Sequence, residues 1–271
     1  MDILGKLKGR NITSSILHIL FNAVFATMVF LAINIGGQIE VALILILVSK
    51  WRIFAVRSRY WGVNILANLV DIVVGFGMVG LIYLAGAIQG QLGFWTQISI
   101  TLLYAIWLIV IKPLSGKKAA RIQSGISLFV GTWVVMAVAH NFSSIPFLVE
   151  LLLFIIGYSS ARHVLSTHKE EQVQILSLIF GLIVAEIGWL ASHWTIGYEF
   201  YLSSAFKLPQ VAIIITLLGL ISERFYSSTR TGRSIWSSEY SAPVLFSVLA
   251  IIVMLDRKST RLNSSHGSAS R

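Results

Sequence analysis

The chain has no cysteine, which excludes disulfide frameworks and thiolate metal sites and leaves the redox compartment unmarked. Charge is scarce as well. Asp, Glu, Lys and Arg make up 12% of the 271 residues, against roughly 25% in an average soluble domain, so a soluble fold would lack polar surface. Acids are the rarer sign, 11 against 21 Lys and Arg. No Walker loop, dinucleotide fingerprint or HExxH motif occurs, so ATP-driven work would need another subunit. What the chain has instead is apolar sequence, 56% of its residues, with a mean hydropathy of +0.82.

The apolar residues fall in long runs, and a helix needs roughly 20 of them to cross a hydrocarbon core. A basic start with Lys6, Lys8 and Arg10 precedes the first run, Ile12 to Ile35. It is too long for a signal peptide and more runs follow, so it reads as an uncleaved anchor. The second run, Ile39 to Val56, tolerates Lys50 and Arg52 at its inner edge, where long side chains can snorkel. Tyr60–Ala85, Phe94–Ile111, Ile122–Ala139, Ile145–Ala161, Val173–Trp194 and Leu208–Phe225 follow. Pro243–Leu255 is only thirteen residues, about 20 Å of helix. The runs are continuous rather than alternating, which favours helices over a barrel. The expectation is an all-α polytopic transmembrane helix bundle of eight complete spans and a truncated ninth. Tyr226 to Ala242 reads as a Ser/Arg-rich loop.

The basic residues set an orientation. If every run crosses, sixteen Lys and Arg lie in the loops on the N-terminal side and only Lys207 on the other. Basic loops stay in the cytoplasm. The N-terminus is therefore expected in the cytoplasm and the protein in the plasma (cytoplasmic) membrane. The lipid bilayer and other membrane subunits are the expected partners. The net charge of +10 does not point to nucleic acid, because the basic residues form short patches between apolar runs.

Asp256 to His266, DRKSTRLNSSH, matches at all eleven positions the in-frame translation of a common short-read sequencing adapter. The following GSASR fits a sample index and further adapter bases. Residues 1–255 are therefore expected to form the transmembrane domain, truncated at its C-terminus, and 256–271 to be a translated adapter rather than native sequence. The tail's four basic residues and one acid account for +3 of the +10. Genomic reads running through the codon of Leu255 into the tail would sink this expectation.

Ionisable groups inside a bilayer are costly and usually mark function or find partners. Three acids qualify: Asp71, Glu150 and Glu186. Asn64, Asn68 and Asp71 fall at i, i+4 and i+7, on one face of the third helix, and Gly75 continues the stripe. A polar path or binding site is one reading, and hydrogen-bonded helix packing the other. Glu186, Trp189 and His193 share a face of the seventh helix at i, i+3 and i+7. Glu186 and Glu150 lie at similar depth, about 12 and 8 Å below the outer ends of their helices. His140 and His193 both fall near that outer surface, and a carboxylate pair with histidine could relay protons, bind a metal or do acid–base chemistry. Against that, His193 beside Trp194 suits an aromatic belt. His140 has no ligand spacing with another His either, so no metal and no cofactor is expected. A working site predicts that Glu186→Gln impairs function without loss of insertion.

Short segments resemble known families. Ser15–Asn22, SILHILFN, resembles the His-and-Asn helix of rhomboid intramembrane proteases, GYSS at 157–160 their GxSG loop, and Ala191–His193 their later histidine helix. The resemblance implies Ser159 as nucleophile and His193 as base. Ser160 stands where the motif ends in glycine, and the two residues fall at opposite membrane faces, roughly 30 Å apart, too far to react. ANLVD at 67–71 resembles the Ala-x-x-x-Asp element of RDD-type membrane proteins, with Asn64 where their arginine would stand; no function follows from it. The leading expectation is transport or translocation of a small solute or lipid-linked molecule through interior polar groups. An intramembrane enzyme acting on a lipid-linked substrate near the outer face is the runner-up, and a non-catalytic membrane subunit or scaffold the third reading.

Overall fold

The computed structural model describes residues 12–141, 146–193, 197–199, 206–232, 234 and 236–267. The fold is all-α: 86% of the structure is helical, and its strands are two three-residue pieces, Gly197–Glu199 and Lys207–Pro209, that pair as one ribbon. The helices are α1 (Ile12–Asn34), α2 (Ile39–Ser49), α3 (Trp61–Gly86), α4 (Gln91–Ile106, prolonged by a π turn at Trp107–Ile111), α5 (Lys117–Asn141), α6 (Pro146–Thr167), α7 (Val173–His193), α8 (Gln210–Thr231) and α9 (Ser238–Gly267). Among the described residues, seven helices are long and apolar enough to cross a membrane: α1 and α3 to α8. Two further apolar helical stretches are shorter, Ile39–Ser49 and Tyr240–Leu255.

Several expected boundaries move: α5 starts at Lys117 rather than Ile122, α6 runs to Thr167 rather than Ala161, and α9 spans Ser238–Gly267 rather than Pro243–Leu255. The second run ends as a helix at Ser49, where Lys50 caps α2 with its amide on the Leu47 and Val48 carbonyls, and two short 3-10 turns follow. At eleven residues α2 rises only about 16 Å. The expected loop from Tyr226 to Ala242 is helical at both ends, since α8 reaches Thr231 and α9 starts at Ser238. α8 runs on to Thr231 because its late Ser and Thr residues need no solvent: Thr229 and Thr231 donate to the Phe225 and Ser227 carbonyls at 3.0 and 2.9 Å. It stops at Gly232, whose φ of 64° is left-handed, the usual glycine stop signal.

The described residues form two compact units, one drawn from 1–123 with 199–207 and the other from 124–198 with 208–271. In the first, α3 is central. It packs on α1, α2 and α4 and is far more deeply buried than α1. Gln97 of α4 joins three helices there, donating to the Ile82 carbonyl at 3.0 Å and accepting from Asn34 at 2.7 Å. A side chain at Gly86 would strike that amide, so the glycine makes room for it. In the second unit α6 and α7 form a tight antiparallel pair built on small residues. A Cβ at Gly157 would sit 2.8 Å from Val184 Cβ, one at Gly181 3.0 Å from Phe154, and one at Gly188 would strike the Leu153 side chain. Close backbone approach of this kind is how helices adhere in lipid, where burying apolar area gains little.

Outward faces are apolar. Ile16, Phe21, Leu102, Leu103, Leu182, Phe246 and Leu249 are all more than half exposed. In a soluble protein such a surface would be a liability; it is consistent with a helical membrane bundle, whose outer faces meet lipid.

Candidate functional site

Asp71 sits ten residues into α3, about 15 Å from its start. A lone carboxylate at that depth is costly, and the sequence around it supplies the compensation from two other helices. α2 breaks at Lys50, and the break leaves the lysine side chain buried, 9% exposed, with its ammonium on Asp71 Oδ2. α4 ends in the π turn, closed by the Lys112 amide on the Trp107 carbonyl at 2.8 Å. In a regular α-helix residues five apart diverge by about 140°; the wider turn brings both Trp107 and Lys112 round to the same carboxylate. Lys112 Nζ reaches Asp71 Oδ2 at 2.8 Å, and Trp107 Nε1 donates to Oδ1 at 3.2 Å. π turns of this kind are frequent at functional sites.

The cluster therefore holds two ammonium groups and one carboxylate, a surplus of one positive charge. An ion pair at 4 Å in surroundings of effective dielectric 20 attracts by about 4 kcal/mol, so one carboxylate holds either lysine well, while the lysines repel each other. The roof is apolar. Gly75, one turn above Asp71, lets Ile46 and the buried Tyr104 close in, and a Cβ there would lie 3.0 Å from Ile46 and 3.6 Å from the Tyr104 hydroxyl.

Of the three polar side chains in the expected α3 stripe only Asp71 bonds to another helix. Asn68 donates to the Asn64 carbonyl at 2.8 Å, within its own helix, and both asparagines are half-buried. Lys50, expected to snorkel toward water, turns inward instead, because Asp71 lies within its reach. Lys50, Lys112 and Trp107 are the residues sequence reasoning missed. The signal that could have found them is an acid in a span with lysines at the ends of both neighbouring spans.

The other expected constellation does not assemble. Gly181, Val184 and Gly188 face α6, and Glu186 lies about 200° round the helix from Val184, on the exposed side of α7. Glu150 is half-buried near the start of α6. Among the described residues neither acid has a hydrogen bond or ion pair. His193 is exposed, its Nδ1 2.8 Å from the Trp189 carbonyl and its ring 4.7 Å from the Trp189 ring, the arrangement expected in an aromatic belt. Ser159 is buried and donates to the Ile156 carbonyl at 3.0 Å. Since Gly188 packs on Leu153, His193 lies toward the start of α6 and Ser159 toward its end, so the two do not meet. Among the described residues no three His, Asp or Glu side chains gather as metal ligands.

One further polar group ties the α6–α7 turn to α8. Tyr226 donates to Glu170 Oε2, Arg230 lies 3.6 Å from the same oxygen, and the Tyr226 ring stands 5.4 Å from His168. The hydroxyl's hydrogen bond holds the Glu170 carboxyl below its ordinary range.

Fold and composition together are those of a multi-pass helical membrane bundle with a charged cluster between its first helices. No protein-family model, curated protein or solved structure matches the chain.

Proposed function

We propose that the protein is a carrier or translocator of a small solute or lipid-linked molecule, with Lys50, Asp71 and Lys112 as its working site. The observation that carries this reading is a carboxylate deep in a spanning helix, shared by ammonium groups from two other helices. Charge inside a bundle is costly, and one lysine would neutralise Asp71. A second, more exposed lysine on the same oxygen makes the cluster able to exchange partners, which a carrier requires and a static pin does not. The N-terminus lies in the cytoplasm in this reading, α2 crosses with the help of the turns up to Val56, and Lys50 and Lys112 lie toward the cytoplasmic face, in keeping with the loop charge.

The test is reconstitution. Proteoliposomes holding the full chain should take up members of a panel of small anions and neutral solutes, or flip a fluorescent phospholipid, faster than empty liposomes. Asp71→Asn should abolish that activity while the protein still inserts. Rates equal to those of empty liposomes for every solute and lipid would overturn the reading. The scaffold reading draws on the close α6–α7 packing and predicts that outcome. An intramembrane enzyme at the outer face finds less support, because Glu186 and His193 point away from α6.

A further inference from the structure

We infer that the Lys50–Asp71–Lys112 cluster binds a phosphate-bearing anion, received at Lys112 from the basic side of the bundle. The inference rests on the reading of this cluster as the carrier's site and names its substrate class.

The surplus charge comes first. Both ammonium groups share one oxygen of one carboxylate, so one positive charge in the cluster is unanswered from within it. Among the described residues no other acid contacts either lysine. Lys50 is buried and committed to Asp71, whereas the Lys112 side chain is 40% exposed. Lys112 is thus the group able to greet a second anion without losing contact with the first.

Position comes next. Lys112 directly follows Ile111, the last residue of its span, and Lys117 and Lys118 follow, both exposed. In a membrane-spanning bundle a span end lies at the level of the lipid phosphates, and basic pockets between helices on the cytoplasmic side are known headgroup sites. The backbone there is also held in place. Buried Gln123 directs its amide nitrogen at the carbonyls of Ile111, Lys112 and Leu114, at 2.9, 3.2 and 3.2 Å. The segment carrying Lys112 is therefore fixed before any ligand arrives, which lowers the ordering cost of binding. A phosphodiester or dihydrogen phosphate carries one negative charge and offers several acceptor oxygens, matching a surplus of one and a donor with three protons.

The same chemistry could arrive as free phosphate or as a lipid headgroup, and one experiment separates them. Purified full-length protein in mild detergent is unfolded thermally with inorganic phosphate or chloride at matched ionic strength, and separately with phosphatidylglycerol or phosphatidylcholine in the micelle. We expect stabilisation by phosphate over chloride, by phosphatidylglycerol over phosphatidylcholine, or by both. Lys112→Gln should weaken the apparent affinity at least ten-fold. Lys112→Arg should retain it, and Lys118→Gln, a nearby exposed charge, should leave it unchanged. Phosphate alone would identify a soluble anion; the lipid alone would identify a headgroup. No specific stabilisation by either, or equal loss in Lys112→Gln and Lys118→Gln, would overturn the inference. Specific binding without flux in proteoliposomes would sink the carrier reading and keep the site. Flux of neutral solutes without phosphate binding would do the reverse.

Discussion

The two units solve one problem in different ways. Helices in a bilayer gain little by burying apolar area against each other, because lipid is as apolar as leucine. The first unit answers with polar contacts between helices: the Lys50–Asp71–Lys112 cluster and the Gln97 amide between α1, α3 and α4. The second answers mainly with shape, through Gly157, Gly181 and Gly188. Shape packs helices tightly and then has nothing left to exchange. Polar groups cost more to place and can trade partners, which is why the working site is proposed in the first unit.

The largest way to break this contrast is at Asp71. Asp71→Ala strands the buried Lys50 ammonium and should cost about 3–5 kcal/mol of stability, read as a lowered thermal midpoint in detergent. Pairing it with Lys50→Met should recover most of that loss, since an apolar replacement of a buried pair is often near neutral. A midpoint unmoved by Asp71→Ala would show that the cluster holds nothing. Next is Gly157→Ala in the second unit. Its new methyl meets Val184 and should cost about 1–3 kcal/mol as overpacking, with transport and any phosphate effect intact in the protein that folds.

Glu186→Leu sharpens the comparison with Asp71. A carboxylate facing lipid is a burden rather than a bond, so its removal should stabilise the protein by up to about 3 kcal/mol, read as a raised unfolding midpoint, and leave flux unchanged. Impaired flux in Glu186→Gln with normal insertion would instead return Glu186 to the site. The smallest effect is one of pH. The Tyr226 hydrogen bond lowers the Glu170 pKa from an ordinary value of 4.5, so its contribution to stability is present above that value and is lost as pH falls through the folded one. Tyr226→Phe should flatten this acid limb below the ordinary value of 4.5 in midpoint measurements. An identical acid limb in the variant would remove Glu170 from the account.

Much of the architecture was legible in the sequence because spanning a bilayer is a demand on consecutive residues. The runs at 12–35, 60–85 and 173–194 became α1, α3 and α7 within two residues at each end. Where the expectation slipped, side chains and caps decided: Lys50 stopped α2 early, and threonine back-bonding carried α8 past Phe225. Asp71 was legible as a candidate because an acid among apolar neighbours is conspicuous. Its partners were not, since Lys50 and Lys112 sit 21 and 41 positions away by number and looked like ordinary loop charges.

The sequence by itself determined that this chain is helical, membrane-like and divided into apolar runs by basic loops, since composition and period are local properties. Only the tertiary structure decided which acids have partners. Asp71 and Glu186 look alike in sequence, each a carboxylate among apolar residues. Helix rotation and a single π turn place one between two lysines and leave the other on an outward face, and neither is encoded by nearest neighbours.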